Sequence, residues 1–264
     1  MKKAVLIYTL FSTLALGLAP AAQSEGIQEV ELLQGWRDTS GDVIAALSIK
    51  LDHNWKTYWR APGDAGFPPL FDFSQSKNVA AIDVIWPSPE QIGNSGFETL
   101  GYTKQLVLPI RVTPANDAPV TLELSANIGV CKDICVPYDF VVSQPLRPKN
   151  KRDPRIIAAL ANAPYAPKDF NLDEISCDFQ KVKDGISVTA KARVPSQGGW
   201  EWFVIEYTSP DAWVDMAKPM RHGDILSTSA IIKNTSNAPV LMQRKKLRLS
   251  IIGPSRTIEQ IGCS

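Results

Sequence analysis

The chain has 264 residues, with 28 basic and 27 acidic side chains and 44% hydrophobic residues. That balance leaves no positive surplus for holding nucleic acid or an anionic membrane surface, and the length allows two domains of ordinary size. Four cysteines, two histidines and four unclustered methionines are all that the sequence offers for redox or soft-metal chemistry.

Lys2 and Lys3 precede an apolar run from Ala4 to Leu18, and Ala19-Pro-Ala21 supplies a small-residue cleavage site. Residues 1–21 therefore read as a secretory signal peptide, because the run falls short of the roughly 20 residues that a spanning helix needs. No cysteine follows the run to accept a lipid, and the Lys-Lys start with a short apolar region points to a bacterial periplasm. No later segment approaches a membrane-spanning length, so a soluble mature chain without a membrane anchor is expected. Without Lys2 and Lys3 the balance becomes 26 basic to 27 acidic side chains. In an oxidising compartment four cysteines allow three pairings, and adjacency favours Cys131–Cys135, leaving Cys177 with Cys263.

Short β-type runs follow one another from residue 43 onward. Val43–Leu51, Ala81–Trp86, Leu106–Val112, Val120–Ala126 and Tyr138–Val142 are the clearest in the first half. In Val120–Ala126 apolar and polar residues alternate, which is the period of a half-buried strand. Prolines at 62, 68, 69, 87, 89, 114 and 119 fall in or beside the connections. That spacing predicts an antiparallel sandwich. Gln144–Pro154 is polar, basic and proline-rich and reads as a linker, which places the domains at residues 22–147 and 148–264. Asp153 and Pro154 predict the cap and first position of a short helix running to Asn162. Strands then resume at Ile186–Val194, Trp202–Tyr207, Val240–Met242 and Leu247–Ile252, predicting a second β-sandwich. A Cys177–Cys263 bridge would close a loop of about 86 residues and stabilise that half by about 4 kcal/mol, so it reads as structural.

The run Cys131-Lys-Asp-Ile-Cys135-Val-Pro137 carries most of the chemistry. Gly129, the β-branched neighbours and Pro137 favour a β-hairpin over a helix, with Lys132–Ile134 as its turn. Two cysteines facing each other across a hairpin lie within the reach of a disulfide. Three uses stay open: a redox pair, a grip on a soft metal such as Cu(I), and a local structural bridge. A short loop gains little chain entropy from cross-linking, which weakens the structural reading. Lys132 favours a neighbouring thiolate and Asp133 opposes it. A second unusual stretch, His53 to Pro69, concentrates Trp55, Tyr58 and Trp59 before a Gly/Pro turn. Its aromatics read either as core or as a wall shielding the thiols, and His53 is the one histidine placed to join Cys131 and Cys135 in a Cu(I) site.

The order Tyr58-Trp-Arg-Ala-Pro-Gly-Asp64, Trp86-Pro, Gly101-Tyr102, Leu108-Pro109 and Cys131-Lys-Asp-Ile-Cys135-Val-Pro137 resembles the periplasmic N-terminal domain of the DsbD/ScsB disulfide-reductase family. The likeness covers roughly residues 27–147. It implies an immunoglobulin-like sandwich whose redox pair would be Cys131 and Cys135, with Cys135 forming the mixed disulfides. It also implies an aromatic cap drawn from Asn94-Ser-Gly-Phe97 and Tyr102, making Phe97 and Tyr102 shields alongside Tyr58 and Trp59. No polytopic membrane domain or thioredoxin-like domain accompanies the pair here. The resemblance thus implies a freestanding thiol–disulfide oxidoreductase component that needs no cofactor. Its partners would be thioredoxin-like periplasmic oxidoreductases and a separate membrane-embedded disulfide reductase. The alternative is a copper-tolerance accessory protein holding Cu(I) on the same thiolates.

Overall fold

The computed structural model describes residues 25–93, 96–149, 151–236 and 238–263. The expected signal peptide lies outside them, as do Asn94 and Ser95 of the expected cap stretch. Among the described residues no helix is long and apolar enough to cross a membrane.

The first half folds as ten strands: β1 (Ile27–Arg37), β2 (Val43–Leu51), β3 (Lys56–Tyr58), β4 (Leu70–Asp72), β5 (Val79–Val84), β6 (Glu90–Ile92), β7 (Thr99–Thr103), β8 (Gln105–Pro114), β9 (Thr121–Cys131) and β10 (Cys135–Pro145). They form two antiparallel sheets, ordered β1-β2-β8-β5 and β10-β9-β3-β7-β6, with β4 also pairing with β9. Leu47, Ile49, Leu108 and Ile110 from the first sheet meet Leu122, Leu124, Ile128 and Leu100 from the second. Each strand contributes alternate residues, as a sheet with one face on the core requires.

β2 is apolar along nearly its whole length because both of its faces are covered. Val43, Ala45, Leu47 and Ile49 point into the sandwich, whereas Ile44 and Ala46 pack with Leu33, Trp36 and Ile156. Ile156 comes from α1 (Pro154–Ala161), whose N-cap Asp153 accepts a hydrogen bond from the Arg155 N–H. The helix stands where the Asp-Pro signal predicted it.

The presumed linker is less free than its composition indicates. β10 runs to Pro145, Leu146 is buried and donates to the Val120 carbonyl, and Lys149 donates to the Gly35 carbonyl. Prolines lack a donor, but the residues between them retain theirs, and these pair with the first sandwich.

The second half contains β11 (Ser176–Val182), β12 (Gly185–Arg193), β13 (Trp202–Tyr207), β14 (Ala212–Met216), β15 (Met220–His222), β16 (Ile225–Asn234), β17 (Leu247–Ile252) and β18 (Thr257–Ile261). Its sheets run β11-β12-β16-β14, with β15 also on β16, and β13-β17-β18. Phe203, Ile205, Leu249 and Ile251 face Val188, Ala190, Ala230 and Ile232 in a separate core. The predicted strand at Val240–Met242 is irregular instead. Its Leu241 carbonyl accepts from the Tyr207 hydroxyl and the Gln243 N–H donates to that same hydroxyl, so a side chain takes the place of a neighbouring strand. Val204 and Ile252, on the opposite face of β13 and β17, complete the core of the first sandwich.

Candidate functional site

β9 and β10 form an antiparallel hairpin in perfect register, with Cys131 directly opposite Cys135. The three residues between them turn tightly, the Lys132 N–H donating to the Ile134 carbonyl at 3.2 Å. The cysteine Cα atoms stand 4.1 Å apart and their sulfurs form a disulfide. The two sulfurs have different surroundings, since Cys131 is 1% exposed while Cys135 is open to solvent.

Strand parity decides what surrounds the bridge. Even-numbered residues of β9 from Leu122 to Val130 point into the core, so Gly129 and Cys131 lie on the outer face. Lys56 pairs with Cys131, placing Lys56 and Tyr58 on that outer face too. Tyr58 is flanked by two glycines, Gly101 opposite it on β7 and Gly129 on β9. The ring lies across β9 in the trough that Gly129 leaves open, and its hydroxyl stands 3.2 Å from Cys135 Sγ. A disulfide sulfur has no proton to give, so the tyrosine O–H donates. A Cβ on Gly129 would stand 2.6 Å from Phe67 Cβ and 3.1 Å from Tyr58 Cδ2, so Phe67 closes the trough from above. The loop from Arg60 to Pro69 carries Phe67, and Gly66 of that loop packs against Tyr58.

Burial fixes the protonation of these groups. It raises the Tyr58 pKa above its ordinary value of 10.0, keeping the hydroxyl a donor at neutral pH. It lowers the Lys56 pKa below 10.5. The Lys56 Nζ sits 5.7 Å from the Tyr58 ring centroid, on the same face as the disulfide. The neighbours of Cys135 in sequence are exposed apolar side chains, Ile134 at 72% and Val136 at 38% exposure, although Val136 pairs with the inward-facing Val130 and so lies on the other face of the hairpin. The arrangement offers one accessible sulfur, a fixed hydrogen-bond donor to it, and a shielded second sulfur.

Of the aromatic residues expected to shield the pair, the structure brings Tyr58 to the sulfur and places the others elsewhere. Trp59, the next residue, necessarily faces the opposite side and is fully buried in the core. Tyr102 pairs with Thr57, so it also faces the core, where its hydroxyl donates to the Pro87 carbonyl at 2.7 Å. Phe97 is exposed and lines a cavity of about 250 Å³ with Gly63, Trp202 and Met216, away from the disulfide. His53 lies exposed in the turn before β3, and among the described residues no group of three or more His, Cys, Asp or Glu side chains could hold a metal ion. The three-ligand Cu(I) set of His53, Cys131 and Cys135 is therefore not assembled. Cys177 and Cys263 form the second disulfide, joining β11 to the segment after β18. Sequence reasoning missed Phe67, Lys56 and Gly129. The period-2 parity of the His53–Trp59 run could have separated Tyr58 from Trp59, but nothing local marks Phe67, whose contact spans 62 positions of the chain.

Residues 29–144 match the family described as thiol:disulfide interchange protein DsbD, N-terminal. The fold is similar to the crystal structure of the N-terminal periplasmic domain of ScsB from Proteus mirabilis, with a TM-score of 0.60 at 23% identity. That similarity covers 93% of this chain and 97% of that one, so it extends over both sandwiches. A search of curated proteins returned no match. The match to the DsbD N-terminal domain thus takes in the hairpin disulfide and Tyr58 and ends before the second sandwich, which only the structural similarity covers.

Proposed function

We propose that the chain is a periplasmic thiol–disulfide exchange protein that passes reducing equivalents between partner proteins through Cys131 and Cys135. The observation that carries this reading is the asymmetry of the bridge, with an exposed Cys135 held by the Tyr58 hydroxyl and a shielded Cys131. On loading, a thiolate of a reduced donor attacks Cys135 Sγ, the Cys131–Cys135 bond breaks, and Cys131 leaves as a thiolate. The donor's second thiol then resolves the mixed disulfide. The donor leaves oxidised, and two electrons stay on the pair. On unloading, the Cys135 thiolate attacks a substrate disulfide and expels one substrate thiolate. Cys131 then attacks Cys135, releasing the second substrate thiolate and re-forming the bridge. The Tyr58 O–H stabilises the Cys135 thiolate in both half-reactions, and the exposed Ile134 beside Cys135 in the hairpin turn favours contact with a protein rather than a small thiol.

The partners that suit this chemistry are thioredoxin-like oxidoreductases as electron acceptors and a separate membrane-embedded disulfide reductase as the source. The Cys131→Ala variant tests the reading. It leaves Cys135 free but unable to resolve, so incubation with an oxidised thioredoxin-like periplasmic protein should accumulate a covalent complex that a reductant dissolves. Mass spectrometry locates the link. Absence of any Cys135-linked complex, with the variant still folded, contradicts the proposal.

A further inference from the structure

The second sandwich touches the first at the strand that carries Tyr58. Arg60, two residues beyond Tyr58, leaves its own domain and enters a polar pocket on the face of β13, β17 and β18. Its Nε donates to both carboxylate oxygens of Glu206 at 3.0 and 3.1 Å, and its Nη2 to Ser250 Oγ at 3.3 Å and to Glu259. Ser250 Oγ donates in turn to Glu259 at 3.1 Å. The Arg60 side chain is 11% exposed and Glu206 22%, so this is a largely desolvated pair with its geometry satisfied on both carboxylates. The same guanidinium lies 4.0 Å from the Trp59 ring centroid, tying Arg60 to the core residue between it and Tyr58.

A second grip follows three residues later. Gly63 has φ +89, and a Cβ there would stand 3.0 Å from Trp202 of the second sandwich. The Trp202 Nε1 donates to Gln91 at 2.8 Å, fastening that indole to the first sandwich. Both grips fall at the start of the loop whose Gly66 and Phe67 press on Tyr58 and Gly129. Within the loop the Gly66 N–H donates to the Gly63 carbonyl at 3.1 Å, which links the gripped residue to the one that packs on Tyr58.

We infer that Arg60 is a positioning residue through which the second sandwich sets the reactivity of Cys135. Gripping Arg60 with Glu206 and Glu259 fixes the Arg60–Pro69 loop, which holds the Tyr58 hydroxyl on the Cys135 sulfur. This assigns a role to the second domain, and it rests on the proposal that Cys135 is the attacking thiol. Hydrogen bonding to a thiolate favours the charged form, so release of Tyr58 makes Cys135 a weaker nucleophile at neutral pH.

The test is the pH profile of iodoacetamide alkylation at Cys135 in the full chain, read by mass spectrometry after reduction of the hairpin bridge. Tyr58→Phe should slow alkylation at pH 7 by about tenfold, through loss of one hydrogen bond to the thiolate. Arg60→Ala, and from the other side Glu259→Gln, should slow it about threefold with the midpoint displaced upward. In the Tyr58→Phe background neither should add anything, because both act through that hydroxyl. An unchanged profile in Arg60→Ala and Glu259→Gln overturns the inference. So does an equal shift with and without Tyr58, which would make Arg60 a distant charge. Alkylation uses no partner protein, so failure of the mixed-disulfide trap would reject the exchange function without altering this result.

Discussion

Gly129 shows how a single missing side chain organises the site. Tyr58 sits on β3, Cys135 on β10, and β9 runs between them, so the tyrosine ring must cross a strand to reach the sulfur. Any side chain at 129 would fill the path. Gly129→Ala should force Phe67 and Tyr58 apart and cost about 1–3 kcal/mol, measured by urea unfolding with the disulfide intact. Stability within about 0.5 kcal/mol of the parent would show that the trough has slack. The cysteine pair itself was legible as a hairpin because Gly129 and Pro137 oppose a helix, and their pairing followed from adjacency. The shield was not. Phe97 and Tyr102 stood out as aromatics near the expected cap, yet parity turns Tyr102 inward and Phe97 lines a cavity with Trp202 instead.

At the scale of elements, several long apolar strands were readable, whereas the long β1 and β16 and the shortest strands were not. β2, β8, β9 and β13 carry unbroken patterns, whereas β3, β4 and β6 hold three residues each and exist because β9 or β7 offers them an edge. Such strands are tertiary products, without a local signal of sufficient length. The helix was readable to within a residue, because Asp153 and Pro154 encode its start chemically. The Arg155 side chain, hydrogen-bonded to Asp153, holds that carboxyl below its ordinary pKa. A lowered folded pKa contributes stability that is present above the unfolded value and lost as pH falls through the folded one. Asp153→Ala should therefore cost about 1 kcal/mol at neutral pH. Below about pH 4 the two proteins should converge as Asp153 is protonated. A difference that persists unchanged at pH 2, seen by thermal unfolding, would assign the loss to packing of Ile156 rather than to the cap.

At the scale of the whole molecule, two sandwiches share more than a linker. Val204 and Ile252 of the second half fill the core of the first, and Arg60 of the first is held by Glu206 and Glu259 of the second. Burial raises the Glu206 pKa, and the Arg60 guanidinium opposes that rise. The composition of residues 144–154 pointed to a loose tether, because sequence shows the prolines and charges but not the carbonyls they meet. The two disulfides divide the labour between these halves. Cys177–Cys263 closes a loop of 86 residues and ties the second sandwich's end to its first strand. Cys131–Cys135 spans four positions and has little chain entropy to restrain. The measurement that separates them most directly is the reduction potential of each bridge, found by equilibrating the full chain with glutathione and counting thiols at each cysteine by mass spectrometry. A redox relay requires Cys131–Cys135 to titrate above about −300 mV, in the range of exchange proteins, while Cys177–Cys263 stays oxidised throughout. A hairpin bridge as resistant to glutathione as Cys177–Cys263 would contradict thiol–disulfide exchange as the function of this protein.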